Sequence, residues 1–283
     1  MKRFTDAQEH PADLVPVPAE GLLKPGLLVG GTEISLDETT FRVEASPRAS
    51  AGAPRGAGGT AADTVRLHAR DDSGAEILLE YTFPGETPYS AGLYVRVDGV
   101  GRGEGEEALI LTFPEGVAHL ERDPKMDRNA AAGIAQVGSR VVKHRPGRKR
   151  DGWREVDSGV IRWAGSRSKY FLAALVPREA PDGTVVVTPG RSRVVTPAGP
   201  ADGIATSLRL PLHLDGPSEY RFQLYAGPMQ YHVLEEFGAG LEKAMDLGWK
   251  VIVPFSRLLL SFFQAVHRVV PNYGLVIIIL SVL

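Results

Sequence analysis

The chain has 283 residues, 43% of them hydrophobic, which is enough for one large domain or two small ones. Its formal net charge of −2 provides no basic excess for neutralising phosphates, so no nucleic-acid partner is expected. It contains no cysteine, which excludes disulfides, thiolate metal sites and a cysteine nucleophile. The first twenty residues begin with a basic pair but have no apolar run behind it, so we expect no signal peptide there.

From about residue 27 to 227 apolar and polar side chains alternate with a period of two, as in "TVRLHAR" (64–70) and "EYRFQLYAG" (219–227). The 32 glycines and 21 prolines break this region into short pieces. Many short alternating strands separated by turns predict an antiparallel β-sandwich. The other strand candidates are "LLVGGTEISL" (27–36), "FRVEA" (41–45), "AEILLEYTF" (75–83), "AGLYVRVDGV" (91–100), "EALILTF" (107–113), "GVIRWAG" (159–165), "KYFLAALVP" (169–177), "TVVVTP" (184–189), "SRVVT" (192–196) and "SLRLPLHLDG" (207–216).

Three segments interrupt this pattern. Residues 45–63 are rich in Ala, Gly, Pro and Ser and predict a flexible loop, and residues 196–206 resemble them. Residues 141–153 carry five basic side chains, which we interpret as a solvated hairpin tip turning at Pro146–Gly147 rather than as a lipid-binding patch. Among the aromatic residues of the strands, Trp163, Tyr170 and Phe171 are predicted to lie in the core rather than along a ligand cleft.

After Pro228 the period becomes helical. Residues 229–252 predict a helical linker that glycines interrupt, with a stripe formed by Val233, Leu234, Phe237, Leu241, Ala244 and Met245. Residues 253–270 predict a strongly amphipathic helix, because the apolar residues recur at steps of three and four. Pro254 suits its first turn and Pro271 ends it. The residues expected at a membrane interface are Phe255, Arg257, Leu258, Leu259, Phe262, Phe263, Val266 and Arg268. The alternative is that the same apolar face packs on the rest of the protein.

The last stretch, 271–283, has two interpretations. "NYGLVIIILSVL" suits a buried strand, because isoleucine and valine favour strands. It also suits the start of a transmembrane helix, of which it supplies roughly half of the ~20 apolar residues needed. We favour the helix, because the amphipathic helix before it has a larger apolar face than a small soluble domain can cover. Its predicted first residues are Asn272, Tyr273, Gly274, Ile277, Ile278 and Ile279.

The segment "LYAGPMQYHVLEEFGAGLEKAMDLGW", followed by "VPFSRLLLSFFQAVHRVVPNYGLVIIILSVL", resembles the corresponding junction of YidC-family membrane protein insertases. In that family a final strand passes through Gly-Pro into a helical segment, then an aromatic amphipathic helix, then a membrane helix that "NWG" or "NYG" opens. "WAGSRSKYFLAALVP" (163–177) resembles another family pattern, "W-x-A…KYF…A-x-x-P", with the alanine one position displaced. The resemblance is specific over about 225–283 and moderate over 163–177.

The resemblance implies a periplasmic β-supersandwich domain over 1–228, anchored at the bacterial inner membrane through the helices that follow. It implies no catalysed covalent chemistry and no cofactor, and the partners would be nascent membrane proteins, the Sec translocon and membrane lipid. The family pattern also predicts that both ends are truncated. An N-terminal membrane helix and the rest of the insertase core, with its membrane-embedded arginine, are expected beyond the 283 residues.

Two other functions stay open from the sequence. Supersandwich folds also occur in carbohydrate-binding proteins and sugar mutarotases, and the fold does not fix the function. A mutarotase needs a histidine and a glutamate in one concave site, for which the candidates are His68, His119, His213, Glu80 and Glu107. A membrane-tethered scaffold that docks protein partners is the second alternative. The seven histidines have no metal-ligand spacing, so no metal site is predicted.

Overall fold

The fold is a sandwich of two antiparallel β-sheets followed by a short helical segment, as the sequence predicts. The computed structural model describes residues 21–36, 39–45, 63–70, 74–84, 89–101, 105–118, 129–145, 154–196, 199–213 and 215–245. The contact pattern divides the chain after Ala244, and the sandwich belongs to the first unit. The predicted loop interior (46–62), the amphipathic helix (253–270) and the apolar end (271–283) lie outside the described residues.

The smaller sheet has six strands in the order β10-β13-β16-β7-β1-β2. Its strands are β1 (Lys24–Val29), β2 (Thr32–Ser35), β7 (Ala108–Phe113), β10 (Glu155–Ser158), β13 (Val185–Thr188) and β16 (Thr206–Pro211). A two-stranded ribbon, whose strands pair with neither sheet, is formed by β14 (Arg191–Thr196) and β15 (Gly199–Ile204).

The larger sheet has nine strands in the order β3-β4-β5-β6-β17-β12-β11-β8-β9. Its strands are β3 (Arg42–Ala45), β4 (Asp63–Arg70), β5 (Glu76–Phe83), β6 (Ser90–Asp98), β8 (Ala132–Val137), β9 (Arg140–His144), β11 (Ile161–Arg167), β12 (Phe171–Pro177) and β17 (Ser218–Pro228). The long β17 pairs with β6 over residues 218–225 and with β12 over residues 222–228, and therefore holds the two halves of the sheet together.

The core lies between the two sheets. In β6 burial alternates along the whole strand, with Leu93, Val95 and Val97 facing inward. These residues belong to one cluster with Leu109 and Leu111 of β7 on the opposite sheet. Because a strand points successive side chains to opposite faces, this alternation leaves Tyr94 and Arg96 on the outer face of the nine-stranded sheet.

Several strand predictions need correction. The segment 27–36 is a hairpin rather than one strand: Gly30 and Gly31 both have positive φ, 56° and 78°, as a tight two-residue turn between strands requires. Residues 199–204, predicted to be unstructured, form β15, because pairing with β14 supplies order that their composition does not. Strands β8, β9 and β10 were not predicted at all.

The strands that flank the basic run 141–153 do not pair with each other. Its first residues belong to β9, at the edge of the nine-stranded sheet, while β10 after it lies at the edge of the six-stranded sheet. The Pro146–Gly147 turn lies outside the described residues, so the hairpin tip stays a prediction. The two edges are joined by His144 Nε2 and Asp157 Oδ2, 2.6 Å apart.

Beyond β17 the chain forms helix α1 (Tyr231–Phe237) and one turn of 3-10 helix (Leu241–Ala244). Helix α1 ends at Gly238, whose positive φ of 86° suits a residue without a side chain. Within the described ranges no helix has the length and apolar character to cross a membrane.

Candidate functional site at the C-terminal junction

The C-terminal helical turns lie against the outer face of the nine-stranded sheet. Leu234 of α1 and Leu241 and Ala244 of the 3-10 turn are fully buried, as the predicted stripe requires. These turns cover part of the outer face of the sheet, which would otherwise be exposed. Strand β12 is therefore buried on both faces, and Leu172 and Ala174 are among its buried residues on the outer face. This double burial explains the nearly continuous apolar run "FLAALV" in a strand of an antiparallel sheet.

Arg167 binds the end of this segment. It is the last residue of β11, and its side chain is buried. One guanidinium nitrogen, Nη1, donates to the carbonyl oxygen of Ala244 at 2.7 Å, and Nε donates to the carbonyl oxygen of Ala130 at 3.3 Å. The last carbonyls of a helical turn have no partner within the turn and carry partial negative charge, so a buried cation stabilises them. Arg167 therefore fixes the point at which the chain leaves the sandwich.

A second polar contact lies beneath the helical turns. Trp163 is fully buried, and its indole nitrogen donates to Gln136 Oε1 at 2.9 Å. The Gln136 amide donates in turn to the carbonyl oxygen of Gly138 at 3.0 Å. Gly240 passes so close that a Cβ there would stand 3.0 Å from Gln136 Oε1, and its φ is +78°. Only glycine meets both demands, so the "GAG" break between the two helical turns is a packing requirement.

The aromatic side of the junction is formed by Tyr225 and Phe237, whose rings meet edge to face with centroids 5.2 Å apart. Tyr225 is fully buried and its hydroxyl donates to the carbonyl oxygen of Pro228 at 2.7 Å. Burial, and secondarily the nearby Tyr89, raises the pKa of the Tyr225 phenol well above its usual range.

Beside α1 the outer face opens into a groove of about 480 Å³. Across it the Arg221 guanidinium lies 5.0 Å from the centre of the Tyr94 ring, a cation–π distance. Partial burial, followed by a hydrogen bond with Glu219, raises the pKa of the Tyr94 phenol. Among the described lining residues, Glu236 supplies a carboxylate and Arg178 and Arg221 supply guanidinium groups. The polar and charged lining residues are Thr82, Ser90, Tyr94, Arg178, Arg221, Gln223 and Glu236.

Comparison with known proteins identifies the fold's family. The sequence model described as "YidC periplasmic domain" matches residues 26–255, which include both sheets and the helical turns. The chain belongs to the YidC periplasmic-domain family.

The relatives carry one name. The chain is 30% identical over 210 residues to the membrane protein insertase YidC of Prosthecochloris aestuarii, an alignment that covers 73% of this chain and 35% of the relative. It is 29% identical over 223 residues to that of Chlorobium phaeovibrioides, covering 78% and 37%. It is 28% identical over 287 residues to that of Chlorobium limicola, covering 100% and 47%. The chain thus spans about a third to a half of the length of these YidC relatives.

The predicted site residues fall in two groups. All eight membrane-interface residues and all six residues at the predicted start of the transmembrane helix lie outside the described part of the chain, so both sets stay predictions. Trp163 and Phe171 are buried, as predicted, but Tyr170 is 50% exposed and the prediction that it is core is wrong. It lies in the turn between β11 and β12, where the alternation that governs strand residues no longer applies.

The residues considered for a mutarotase are distributed over both sheets in the described ranges, and His68 and Glu80 share one face of β4 and β5, opposite Leu78 and Arg66 respectively. Glu80 is bound to Arg66 Nε at 2.6 Å on the solvent side of β5. His213 and Glu107 lie at one end of the six-stranded sheet, where the backbone nitrogen of Leu212 donates to the carbonyl oxygen of Glu107. His119 lies outside the described residues. The YidC relatives do not favour the carbohydrate alternative.

Sequence reasoning missed Arg167 and Gln136. The sequence did contain evidence for Arg167. Residues four apart on a strand point to the same face, so Arg167 lies on the same face of β11 as Trp163, which was predicted to be buried. A charged residue on a buried face needs a partner, and the nearest candidates are the carbonyls of a packed segment.

Proposed function

We propose that the chain is the periplasmic domain and the beginning of the membrane-embedded core of a YidC-type membrane protein insertase. The observation that carries the proposal is the family match over 26–255, continued by the amphipathic and apolar segments at 253–283. The sandwich would lie in the periplasm, at the outer side of the inner membrane. Nascent membrane proteins would be the substrates, with the Sec translocon and membrane lipid as partners, and no covalent chemistry would be catalysed.

The physical task of such a protein is to lower a solvation cost. An unpaired backbone polar group in hydrocarbon costs several kcal/mol, so a polar segment crosses lipid slowly unless protein groups accompany it. In this proposal the helix 253–270 lies in the outer leaflet. Phe262 and its apolar neighbours would enter the acyl region while Arg257 and Arg268 meet lipid phosphates. The residues from Asn272 onward would begin the first membrane helix of the core.

The interfacial helix is tested by Phe262→Trp in the full chain, mixed with liposomes. We expect the fluorescence of the new tryptophan to shift to the blue and to strengthen, because the indole leaves water. The control is the same chain without Phe262→Trp, which reports the background from the three native tryptophans. An unchanged spectrum would remove the helix from the membrane interface.

The insertase activity is tested by a chimera in which residues 1–283 replace the aligned part of the Chlorobium limicola relative. In cells depleted of their own insertase, the chimera should restore insertion of a dependent membrane protein, scored by protease protection. Serine at Leu258, Phe262 and Phe263 should reduce this rescue, whereas serine at Arg148, Lys149 and Arg150 should not. A chimera that is made, reaches the membrane and gives no rescue would contradict the assignment.

A further inference from the structure

The end of the nine-stranded sheet from which the chain leaves carries an aromatic rim. In an antiparallel sheet the C-terminal ends of β5, β11 and β17 and the N-terminal ends of β6 and β12 meet at one end. The register confirms this, because Ser90 pairs with Tyr225 and Phe171 pairs with Pro228. We define the exit rim as five residues at this end whose side chains are not buried: Phe83, Tyr89, Lys169, Tyr170 and Met229. Asp63, Pro84 and Ser90 also lie at this end and are not buried.

Backbone contacts hold the rim together around the end of β17. The nitrogen of Ala226 donates to the carbonyl of Tyr89 at 2.9 Å, and the nitrogen of Met229 donates to the carbonyl of Tyr170 at 2.6 Å. The two tyrosines therefore flank β17 on either side. Lys169 Nζ lies 4.7 Å from the centre of the Tyr170 ring, so a cation accompanies the exposed aromatic ring.

The exposed hydrophobic residues are distributed unevenly. In the described ranges six large hydrophobic side chains are exposed, and the two aromatic ones, Phe83 (47%) and Tyr170 (50%), are both on the exit rim. The four aliphatic ones lie on edge strands or in a connection: Ile34, Val43, Val156 and Val160. Exposed aromatic rings at one end, with a lysine beside them, have the composition that membrane–water interfaces favour.

The proposed interfacial helix would bring this rim to a membrane. Arg167, at the same end of the sheet, holds the carbonyl of Ala244, and only nine peptide steps separate Ala244 from Val253. Such a length spans about 30 Å at most. An amphipathic helix bound at the interface would therefore keep the exit end close to the bilayer. The effective concentration of lipid headgroups around the rim would then be high enough for weak contacts to form.

The geometry points to a second membrane contact: the exit rim rests on the lipid headgroups, with Phe83 and Tyr170 inserted among them and Lys169 beside anionic phosphates. This inference rests on the proposed interfacial helix and adds to it an orientation of the periplasmic domain, with its exit end toward the bilayer.

The test uses the full chain, which has no native cysteine, with vesicles of phosphatidylethanolamine and phosphatidylglycerol. Single cysteines carry an environment-sensitive dye at Asp63, which pairs with Phe83 at the rim, at Val160 on the far end of β11, and at Phe262 in the predicted helix. Spin-labelled headgroups should quench the dyes at 63 and 262 but not the dye at 160. In the doubly substituted Phe83→Ser/Tyr170→Ser chain, quenching at 63 should be lost and vesicle affinity should fall about tenfold. The matched control Val43→Ser/Val160→Ser should leave both unchanged.

The outcomes separate this inference from the proposed function. Quenching at 262 with none at 63 would overturn the rim contact and leave the interfacial helix standing. No quenching at 262 would overturn the helix and the rim contact with it. Quenching at 63 that survives Phe83→Ser/Tyr170→Ser would assign the contact to another surface. Shielding of the dye at 63 in native membranes but not in protein-free vesicles would mean that the rim binds a protein, which also overturns the lipid assignment.

Discussion

Arg167 stabilises the junction through two hydrogen bonds to backbone carbonyls. Replacing it with methionine keeps the apolar volume but leaves the carbonyls of Ala130 and Ala244 without their charged donor. Hydrogen bonds to charged groups contribute about 1.5–3 kcal/mol each. Part of this loss is offset because the variant no longer buries a charge, so we expect Arg167→Met to lower the free energy of unfolding by about 1–3 kcal/mol. Urea denaturation measures this, and amide exchange at 241–244 should accelerate.

The control for Arg167 is on the same strand. Arg162→Met changes an exposed arginine of β11 and should alter stability by less than about 0.5 kcal/mol. If the two variants unfold at the same urea concentration and protect residues 241–244 equally, Arg167 does not hold the C-terminal turn.

Tyr225 makes stability depend on pH on the alkaline side. Because burial raises its pKa in the folded chain, the folded state keeps a proton that the unfolded state loses above about pH 10. Above that pH the unfolded state binds fewer protons than the folded state. The contribution of Tyr225 to the free energy of unfolding should therefore be constant through neutral pH and fall as pH rises past 10. Tyr81 and Tyr220, whose pKa values burial also raises, add to the same slope.

Tyr225→Phe separates this proton effect from the hydrogen bond. At pH 7 the variant should lose only the bond to the Pro228 carbonyl, about 1 kcal/mol. Between pH 10 and 11.5 its stability should fall less steeply than that of the unsubstituted chain, as measured by urea midpoints. Parallel curves would show that Tyr225 ionises alike in the folded and unfolded states.

At the scale of elements, the sequence predicted strands best where one face is buried and the other solvated. Alternation located β4, β6 and β17, because each has a core face and a water face. It failed for β10, whose pattern is short, and for β15, whose "GPADGI" offers almost no apolar face. These two strands form because they pair with other strands, β10 with β13 and β15 with β14. The alternation of apolar and polar residues within a segment does not reveal such pairing.

The helical turns show the same division between local and non-local information. Of the predicted stripe, Leu234, Leu241 and Ala244 are fully buried. Its other members, Val233, Phe237 and Met245, are half-buried. The surface that the stripe covers was not visible, because it combines β8, β11, β12 and β17 from widely separated parts of the chain. Gln136 and Arg167 lie on that surface, which is why no local motif marked them.

At the scale of the whole molecule, the question is where the folded domain ends. The predicted boundary at residue 228 stays a prediction, yet α1 and the 3-10 turn bury Leu234 and Leu241 completely against the sheet. Burying a leucine contributes about 1.5–3 kcal/mol, so losing both removes roughly 3–6 kcal/mol from a domain whose total is of order 5–15 kcal/mol. A chain of residues 21–245 should therefore fold cooperatively, and one of residues 21–228 should be far less stable.

The missing turns would expose Trp163, Leu172 and Ala174 together, a contiguous apolar patch of the kind that promotes association. The shorter chain should therefore bind a hydrophobic dye, elute as aggregates, and melt well below the longer one. Leu234→Ser/Leu241→Ser in the longer chain should reproduce this loss, whereas Glu235→Ser/Glu236→Ser, at exposed positions of the same helix, should not. Equal melting temperatures for the two chain lengths would put the domain boundary at 228, and would make the C-terminal turns a linker rather than part of the sandwich.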